Sequence, residues 1–395
     1  TDYTAPNGHV LLGSFGDPST QSWPVLIPEA KSPITDVSVI DGVLCVGRLT
    51  DVKTETKLYS LRGKEIGDIR YPTLGSGSVV FGREDSDTGF YYFSSFTVPS
   101  TIFEYNVATG QSFPWSESKV PFDAKAYEVR QVFFTSKDGT RIPMFIAGRK
   151  GLPLDGSAPV LMTGYGGFNV SETPYFSSEF AWWMEQGGFF ALPNLRGGGE
   201  YGENWHEAGM FERKQNVFDD WFAAAQFLLD QHYTTRDRFA ITGRSNGGLL
   251  MGASMTQHPE LFGAILCGYP LLDMSRYQHF FVGRWWTTEY GSAEKPEQAD
   301  YILKYSPYQN IRPAVKYPAI MFLSGDSDTR VAPLHARKMA AAMQATVMSE
   351  PQAERRPVLL HYDTHAGHSS GVSVDQRIHD TADELTFLWN ETGGK

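Results

Sequence analysis

The spacing of apolar and polar positions divides this chain into two textures. Up to about residue 128 the apolar runs are short, alternate with polar residues and show no helical period. Such a pattern predicts strands joined by turns. It also repeats. Val43–Thr50, then Lys57–Leu61 and the turn Arg62-Gly63-Lys64, is echoed by Phe90–Thr97, then Thr101–Tyr105 and the turn Thr109-Gly110-Gln111. Thr50 to Thr97 is 47 residues and Tyr59 to Tyr105 is 46. A period in this range fits four-stranded propeller blades, with two similar but unrelated hairpins as the competing reading. Two or three blades do not close a propeller, which takes at least about four. Residues 1–128 are therefore expected to form part of a β-propeller, its last blades.

From residue 129 the pattern changes. Val129–Thr135 and Arg141–Arg149 read as a hairpin across Lys137-Asp138-Gly139-Thr140, a strong turn signal. Short apolar runs follow at Pro159–Thr163, Phe189–Pro193, Arg238–Thr242, Ala264–Gly268, Ala319–Ser324 and Val358–Tyr362. They have the length and composition of buried parallel strands. Between them, Val217, Phe218, Trp221, Phe222, Ala225, Leu228 and Leu229 fall at three- and four-residue spacing, one apolar face of a helix. Ala332–Met348 and Asp375–Trp389 read as two more helices. Strands alternating with helices predict a doubly wound, mostly parallel sheet, so residues 129–395 are expected to be an α/β domain.

Composition narrows the function classes. The 395 residues suit two or three domains at ~150 residues each, and 41% hydrophobic residues supply ample core. A net charge of −11 with no basic block speaks against a nucleic-acid partner. No apolar run reaches the ~18–20 residues of a membrane span, so no membrane partner is expected. The two cysteines, Cys45 and Cys267, lie in apolar runs and read as small buried hydrophobes rather than a disulfide. Low cysteine use fits a cytoplasmic or periplasmic protein. Thr1-Asp2-Tyr3-Thr4 carries neither methionine nor a signal-peptide pattern, so the sequence reads as a fragment or a processed product.

The chemistry centres on Gly243-Arg244-Ser245-Asn246-Gly247-Gly248. It follows an apolar strand and opens the helical run Leu249–Ala253. Strand, Gly-x-Ser-x-Gly turn and helix make a nucleophile elbow, the mark of an α/β-hydrolase domain; a glycine-rich turn whose serine merely caps the helix is the plainer alternative. A serine hydroxyl needs a base, and the base needs an orienting acid. In this fold class the acid and then the histidine follow the serine in the chain. Strand 319–324 runs into Gly325-Asp326-Ser327-Asp328-Thr329-Arg330, and strand 358–362 into Asp363-Thr364-His365-Ala366-Gly367-His368. On spacing alone Asp326 competes with Asp328, and His365 with His368. Asp326 also reads as a loop cap, His365 as a solvated loop residue and His361 as a packing residue within its strand. An acyl-transfer site further needs donors for an oxyanion. The Asn246 N–H is one natural donor, and Thr163-Gly164-Tyr165-Gly166-Gly167-Phe168-Asn169 offers the Tyr165 hydroxyl, which could equally pack at the strand end. No cofactor or metal is expected for such chemistry.

Further motifs give a resemblance. Asn194-Leu195-Arg196-Gly197-Gly198-Gly199-Glu200-Tyr201-Gly202-Glu203-Asn204-Trp205-His206, Lys214-Gln215-Asn216, Phe218-Asp219-Asp220, Trp286-Thr287-Thr288-Glu289-Tyr290-Gly291, Tyr305-Ser306-Pro307, Asp328-Thr329-Arg330-Val331 and Ala366-Gly367-His368 occur in the order found in the prolyl oligopeptidase family. With Gly164–Asn169 and the elbow, the chain resembles that family across residues 129–395. The resemblance implies Ser245 as nucleophile, Asp328 as orienting acid, His368 as general base, and the Tyr165 hydroxyl and Asn246 N–H as oxyanion donors. It implies a pocket in which Trp286 stacks on a substrate proline, with Phe168, Tyr290, Val331 and Leu271 as further walls, and Arg330 binding a substrate carbonyl. Short proline-containing peptides are the implied substrates. Asn246 and the Trp-Thr-Thr-Glu-Tyr-Gly segment place the chain in the proline-cleaving branch rather than the one that cleaves after basic residues. Arg244 stands where animal members have glycine, and Ser369-Ser370-Gly371 follows the histidine where glycine-rich residues are usual. Family members carry a closed propeller, so the rest of the propeller is expected either as a separate chain or as a missing N-terminal part of the same enzyme. Whether the serine is gated or open depends on it.

Overall fold

The computed structural model describes residues 1–17, 19, 22–348, 351, 355–368 and 371–393. The chain divides into two compact units. One comprises residues 1–129 with 171–181 and 199–206, the other residues 130–170, 182–198 and 207–395. The two short inserted segments lie inside the stretch that the sequence pattern gives wholly to the α/β domain.

In the first unit, β1 (Val10–Leu11) pairs with β2 (Val25–Ile27). β3 (Ile34–Ile40), β4 (Val43–Thr50), β5 (Lys53–Ser60) and β6 (Glu65–Ile69) form an antiparallel meander. A second sheet holds β7 (Ser76–Gly77), β8 (Phe81–Gly82), β9 (Thr88–Ser94), β10 (Thr101–Asn106) and β11 (Gln111–Glu117). The sequence echo is thus β4–β5–β6 against β9–β10–β11, two blades rather than two unrelated hairpins. The copies differ where the echo is loosest. β4 meets β5 through a tight turn at Asp51 and Val52, both at positive φ, whereas residues 95–100 separate β9 from β10. Ile40, Cys45, Leu58 and Ile69 of the first sheet pack on Tyr91, Phe93 and Tyr105 of the second.

The second unit is built on an eight-stranded sheet. Its strands are β12 (Tyr127–Thr135), β13 (Arg141–Arg149), β14 (Val160–Thr163), β15 (Phe189–Pro193), β16 (Phe239–Arg244), β17 (Ala264–Gly268), β18 (Ala319–Gly325) and β19 (Val358–Asp363), in the spatial order β12-β13-β15-β14-β16-β17-β18-β19. β13 runs antiparallel to β15, and the six strands from β15 to β19 run parallel. Continuous burial along β15, β17 and β18 explains why these strands read as unbroken apolar runs rather than alternating ones. The helices of the chain are α1 (Ser178–Glu185), α2 (Glu203–Glu207), α3 (Gln215–Asp230), α4 (Asn246–Gln257), α5 (Thr287–Tyr290), α6 (Pro296–Tyr305), α7 (Leu334–Met348) and α8 (Val374–Thr392), of which the start of α1 and nearly all of α2 fall in the first unit. α3 buries Val217, Phe218, Trp221, Phe222, Ala225 and Leu228, the face its spacing predicts. β16 starts at Phe239 because Arg236–Arg238 form a single 3-10 turn, and it continues to Arg244, the residue before the serine. Loops after β14, β16, β18 and β19 all leave the same edge of the sheet, the carboxyl ends of parallel strands, where ligand sites of open α/β sheets gather.

Candidate active site

Ser245 links β16 to α4 with φ 59° and ψ −118°, a strained conformation for a residue with a side chain. Its N–H donates to the Gly268 carbonyl of the neighbouring strand at 2.9 Å, which holds the bend. A Cβ on Gly243 would lie 2.4 Å from the Gly247 oxygen, so the elbow closes only with glycine there. The serine stays half-buried at the sheet edge.

The two carboxylates and the two histidines stand in different geometries. Asp328 is 1% exposed. One of its oxygens accepts from the N–H groups of Arg330 (2.9 Å) and Val331 (2.8 Å), and the other lies 2.7 Å from His368 Nδ1. The backbone bonds aim the carboxylate; the remaining oxygen orients the imidazole. The β18 and β19 loops are tied together by Asp326 N–H to Asp363 O (2.8 Å) and Ser327 N–H to Ala366 O (3.0 Å). The His368 ring packs edge-on against Tyr269, with centroids 5.6 Å apart. Among the described residues the Ser245 hydroxyl makes no hydrogen bond.

Asp326 is exposed and accepts from the Tyr362 hydroxyl rather than capping backbone. The cap expected of it is made by Asp363, which accepts from the N–H groups of His365 (2.7 Å) and Ala366 (3.1 Å). The His365 side chain is 92% exposed. His361 is half-buried with Nε2 3.5 Å from Asp380, an ion-pair geometry rather than simple packing. Ser369 and Ser370 lie outside the described residues.

The Tyr165 loop stands beside the elbow. Asn246 N–H is the first amide of α4, and its side chain reaches across: Nδ2 donates to the Tyr165 carbonyl at 2.6 Å, while Oδ1 accepts from the Tyr290 hydroxyl at 2.7 Å. Tyr290 is fully buried, and burial pushes its phenol well above the usual range. Its ring meets Phe168 edge-on at 5.5 Å. Tyr290, Leu271 and Val331 are all buried and form the packing behind the surface. Phe168 and Trp286 are half-buried and Arg330 is exposed, so these three present side-chain surface.

Three polar groups here have no role in the sequence reading: the Asn246 side chain, Lys214 and Glu289. Lys214 Nζ is buried, donates to the Gly166 carbonyl at 2.8 Å and lies 3.7 Å from Glu289. Glu289 accepts from the Phe168 N–H at 3.0 Å. Both residues sit in the family-like segments Lys-Gln-Asn and Trp-Thr-Thr-Glu-Tyr-Gly, which is the signal that could have flagged them. Arg244, before the serine, bonds Glu384 of α8 at 2.5 Å. No group of three or more His, Cys, Asp or Glu among the described residues could hold a metal ion. No helix among them is long and apolar enough to cross a membrane.

An α/β-hydrolase sheet with a strained serine elbow and a carboxylate-oriented histidine at one edge defines the class. Comparison with known proteins defines the family. The profile of the prolyl oligopeptidase family matches residues 174–395, and that of the prolyl oligopeptidase N-terminal β-propeller domain matches residues 1–118. The chain belongs to the prolyl oligopeptidase family. It is 40% identical over 397 aligned residues to a prolyl endopeptidase of Elizabethkingia meningoseptica, covering 100% of this chain and 55% of that protein. A dual function macrocyclase-peptidase of Amanita bisporigera is 35% identical, over 100% of this chain and 54% of its own length. Among solved structures, one from a study of two prolyl endopeptidases matches 99% of this chain and 57% of its own at 44% identity, with a TM-score of 0.92. Prolyl oligopeptidase B of Galerina marginata, bound to a 25mer macrocyclization substrate, matches 99% of this chain and 55% of its own at 33% identity, also with a TM-score of 0.92. The chain spans about half the length of the curated relatives it matches.

Proposed function

We propose that this protein is a serine endopeptidase that hydrolyses short peptides on the carboxyl side of proline. The observation that carries the reading is the 2.7 Å Asp328–His368 bond at the sheet edge that also holds the Ser245 elbow. In this reading Ser245 Oγ attacks the carbonyl carbon of the proline residue while His368 Nε2 takes the hydroxyl proton. Asp328 keeps Nδ1 protonated and stabilises the imidazolium that forms. Negative charge on the former carbonyl oxygen is met by the Asn246 N–H and the Tyr165 hydroxyl. His368 then returns its proton to the departing amine, leaving an acyl-enzyme. Water, deprotonated by the same histidine, attacks the ester and releases the product acid and Ser245. The serine–histidine hydrogen bond is expected to close when substrate is bound.

Trp286 and Phe168 supply flat apolar surface suited to a proline ring, and Arg330 a cation for a substrate carbonyl. The test is hydrolysis of a chromogenic peptide ending in proline beside its alanine counterpart. Wild type should cleave the proline substrate faster, and Ser245→Ala should lose about four to six orders of magnitude. Trp286→Ala should narrow the proline-to-alanine ratio in kcat/KM by about 10–100-fold, the range a lost apolar contact supports. Equal cleavage of both peptides by wild type would overturn the substrate reading. Absence of fluorophosphonate labelling at Ser245 would point instead to a non-catalytic scaffold. Because one relative is a dual function macrocyclase-peptidase, mass spectrometry on a long proline-containing peptide distinguishes hydrolysis from cyclisation.

One face of the second propeller sheet bears on partners. Phe81, Phe90, Tyr92, Ile102, Phe113 and Trp115 stand exposed on it, an apolar surface of the kind another blade covers. Its partner in this reading is the remainder of a longer enzyme of the same family.

A further inference from the structure

We propose that the buried Lys214–Glu289 pair is a positioning device for the oxyanion site, fixing the backbone that immediately follows Tyr165 so that the phenol stands ready before substrate arrives. The inference rests on the Ser245 reading above and adds two residues to which that reading gives no part.

Three consecutive peptide groups of the loop, from Tyr165 to Phe168, are held by buried side chains. The Tyr165 carbonyl accepts from Asn246, the Gly166 carbonyl from Lys214, and the Phe168 N–H donates to Glu289. Gly166 sits at φ +64°, and Phe168 and Asn169 at 57° and 56°. Consecutive left-handed residues cost backbone energy and persist only where their surroundings over-determine them. Side chains pack against the same loop: a Cβ on Gly166 would come within 2.4 Å of Val217 on α3. The loop is therefore held in an unfavourable path by polar contacts that pull from beneath it.

A buried ion pair is a costly way to satisfy one carbonyl and one amide. Lys214 is 1% exposed and Glu289 3%, and taking both charges out of water is repaid only by good geometry and further hydrogen bonds. Burial lowers the Lys214 amine and Glu289 opposes it, leaving it at about 8, so the ammonium depends on its partner for its charge. The Lys214 ammonium also lies 5.3 Å from the centroid of the Tyr290 ring. Tyr290 in turn holds the Asn246 side chain. Lysine, glutamate, tyrosine and asparagine form one connected set, and three of its side chains bond the loop that carries Tyr165. Preorganised donors are effective only if they need not be rearranged during the reaction.

The experiment is a double-mutant cycle between the pair and Tyr165 in the purified protein. Lys214→Met and Glu289→Gln are each made in the wild-type and Tyr165→Phe backgrounds. Each is read by kcat and KM on a proline peptide and by the second-order rate of fluorophosphonate reaction at Ser245. In the wild-type background we expect kcat and the labelling rate to fall about 10–100-fold with KM little changed, less than the loss of a whole oxyanion donor. Without the phenol the same substitutions should cost under about threefold, because their effect passes through Tyr165. Should Lys214→Met fail to fold, the isosteric Glu289→Gln, which keeps an acceptor for the Phe168 N–H, carries the cycle. Equal losses in both backgrounds, or no loss in a folded variant, overturn the proposal. Labelling at Ser245 without cleavage of proline peptides overturns the substrate reading and leaves this one measurable.

Discussion

Asn246 and Tyr165, 81 positions apart, are joined by a 2.6 Å hydrogen bond from the asparagine Nδ2 to the tyrosine carbonyl. In the proposed reading the residue after the nucleophile serves the oxyanion site twice, through its own N–H and by tethering the loop that brings the second donor. A change that spares the backbone should still slow the reaction. Asn246→Ala keeps the N–H but leaves the Tyr165 carbonyl and the Tyr290 hydroxyl without this partner. We expect kcat to fall about tenfold, and stability by roughly 1–3 kcal/mol for the stranded buried groups. Steady-state kinetics with thermal melts measure both. An alanine variant with wild-type kcat would show that the tether is idle.

The Asp328 carboxylate divides its labour between its oxygens. One takes two backbone N–H groups and the other faces His368 Nδ1. Asp328→Asn should preserve the fold, since the amide oxygen can keep the backbone bonds. Its NH2 must then point at His368, so Nδ1 becomes an acceptor and the ring proton moves to Nε2, where a base needs a lone pair. A fall in kcat of about 10⁴ is expected, with KM little altered. Kinetics beside an unchanged melting temperature tests it. A loss below tenfold would mean that the tautomer is not set by this bond.

Much of this arrangement was legible before any coordinates, and the reason is local. β15, β17 and β18 are buried along their whole length, so apolar runs mark them, and the elbow demands glycines within a few positions of its serine. Functional loops follow strand ends, which is why Asp328 and His368 could be sought just beyond β18 and β19. The unread parts depend on distance along the chain. Lys214 and Glu289 meet only because α3 and α5 both reach the Tyr165 loop, and no period in either segment announces it. Segments 171–181 and 199–206 leave the sequence neighbourhood they are written in. The loop cap expected of Asp326 falls to Asp363, and the difference is one of loop path: the Asp363 carboxylate meets two N–H groups of its own loop, while Asp326 faces the Tyr362 hydroxyl.

Acid stability should depend on His335. It lies in the first turn of α7, 2% exposed, with Nδ1 accepting from the N–H groups of Asp273 (3.1 Å) and Leu272 (3.4 Å). A protonated ring would turn a donor against those donors. Burial is the main cause that lowers its pKa, to about 4 from 6.5; Asp273 opposes the shift, and Lys338 and Arg276 add to it. The folded protein therefore keeps His335 neutral while the unfolded chain takes up a proton near its ordinary value. The stabilisation is fully present above about pH 6.5 and drains away as pH falls toward 4, roughly 3 kcal/mol at 1.36 kcal/mol per unit. His335→Asn offers an acceptor in a similar place and cannot titrate. Denaturant unfolding at a series of pH values should show the wild type losing stability faster than the variant across that window, by a slope of about one proton. Absolute stability of the variant is expected to be lower because asparagine fills less of the site, so the slope is the deciding quantity. Parallel slopes would place the acid sensitivity in other groups.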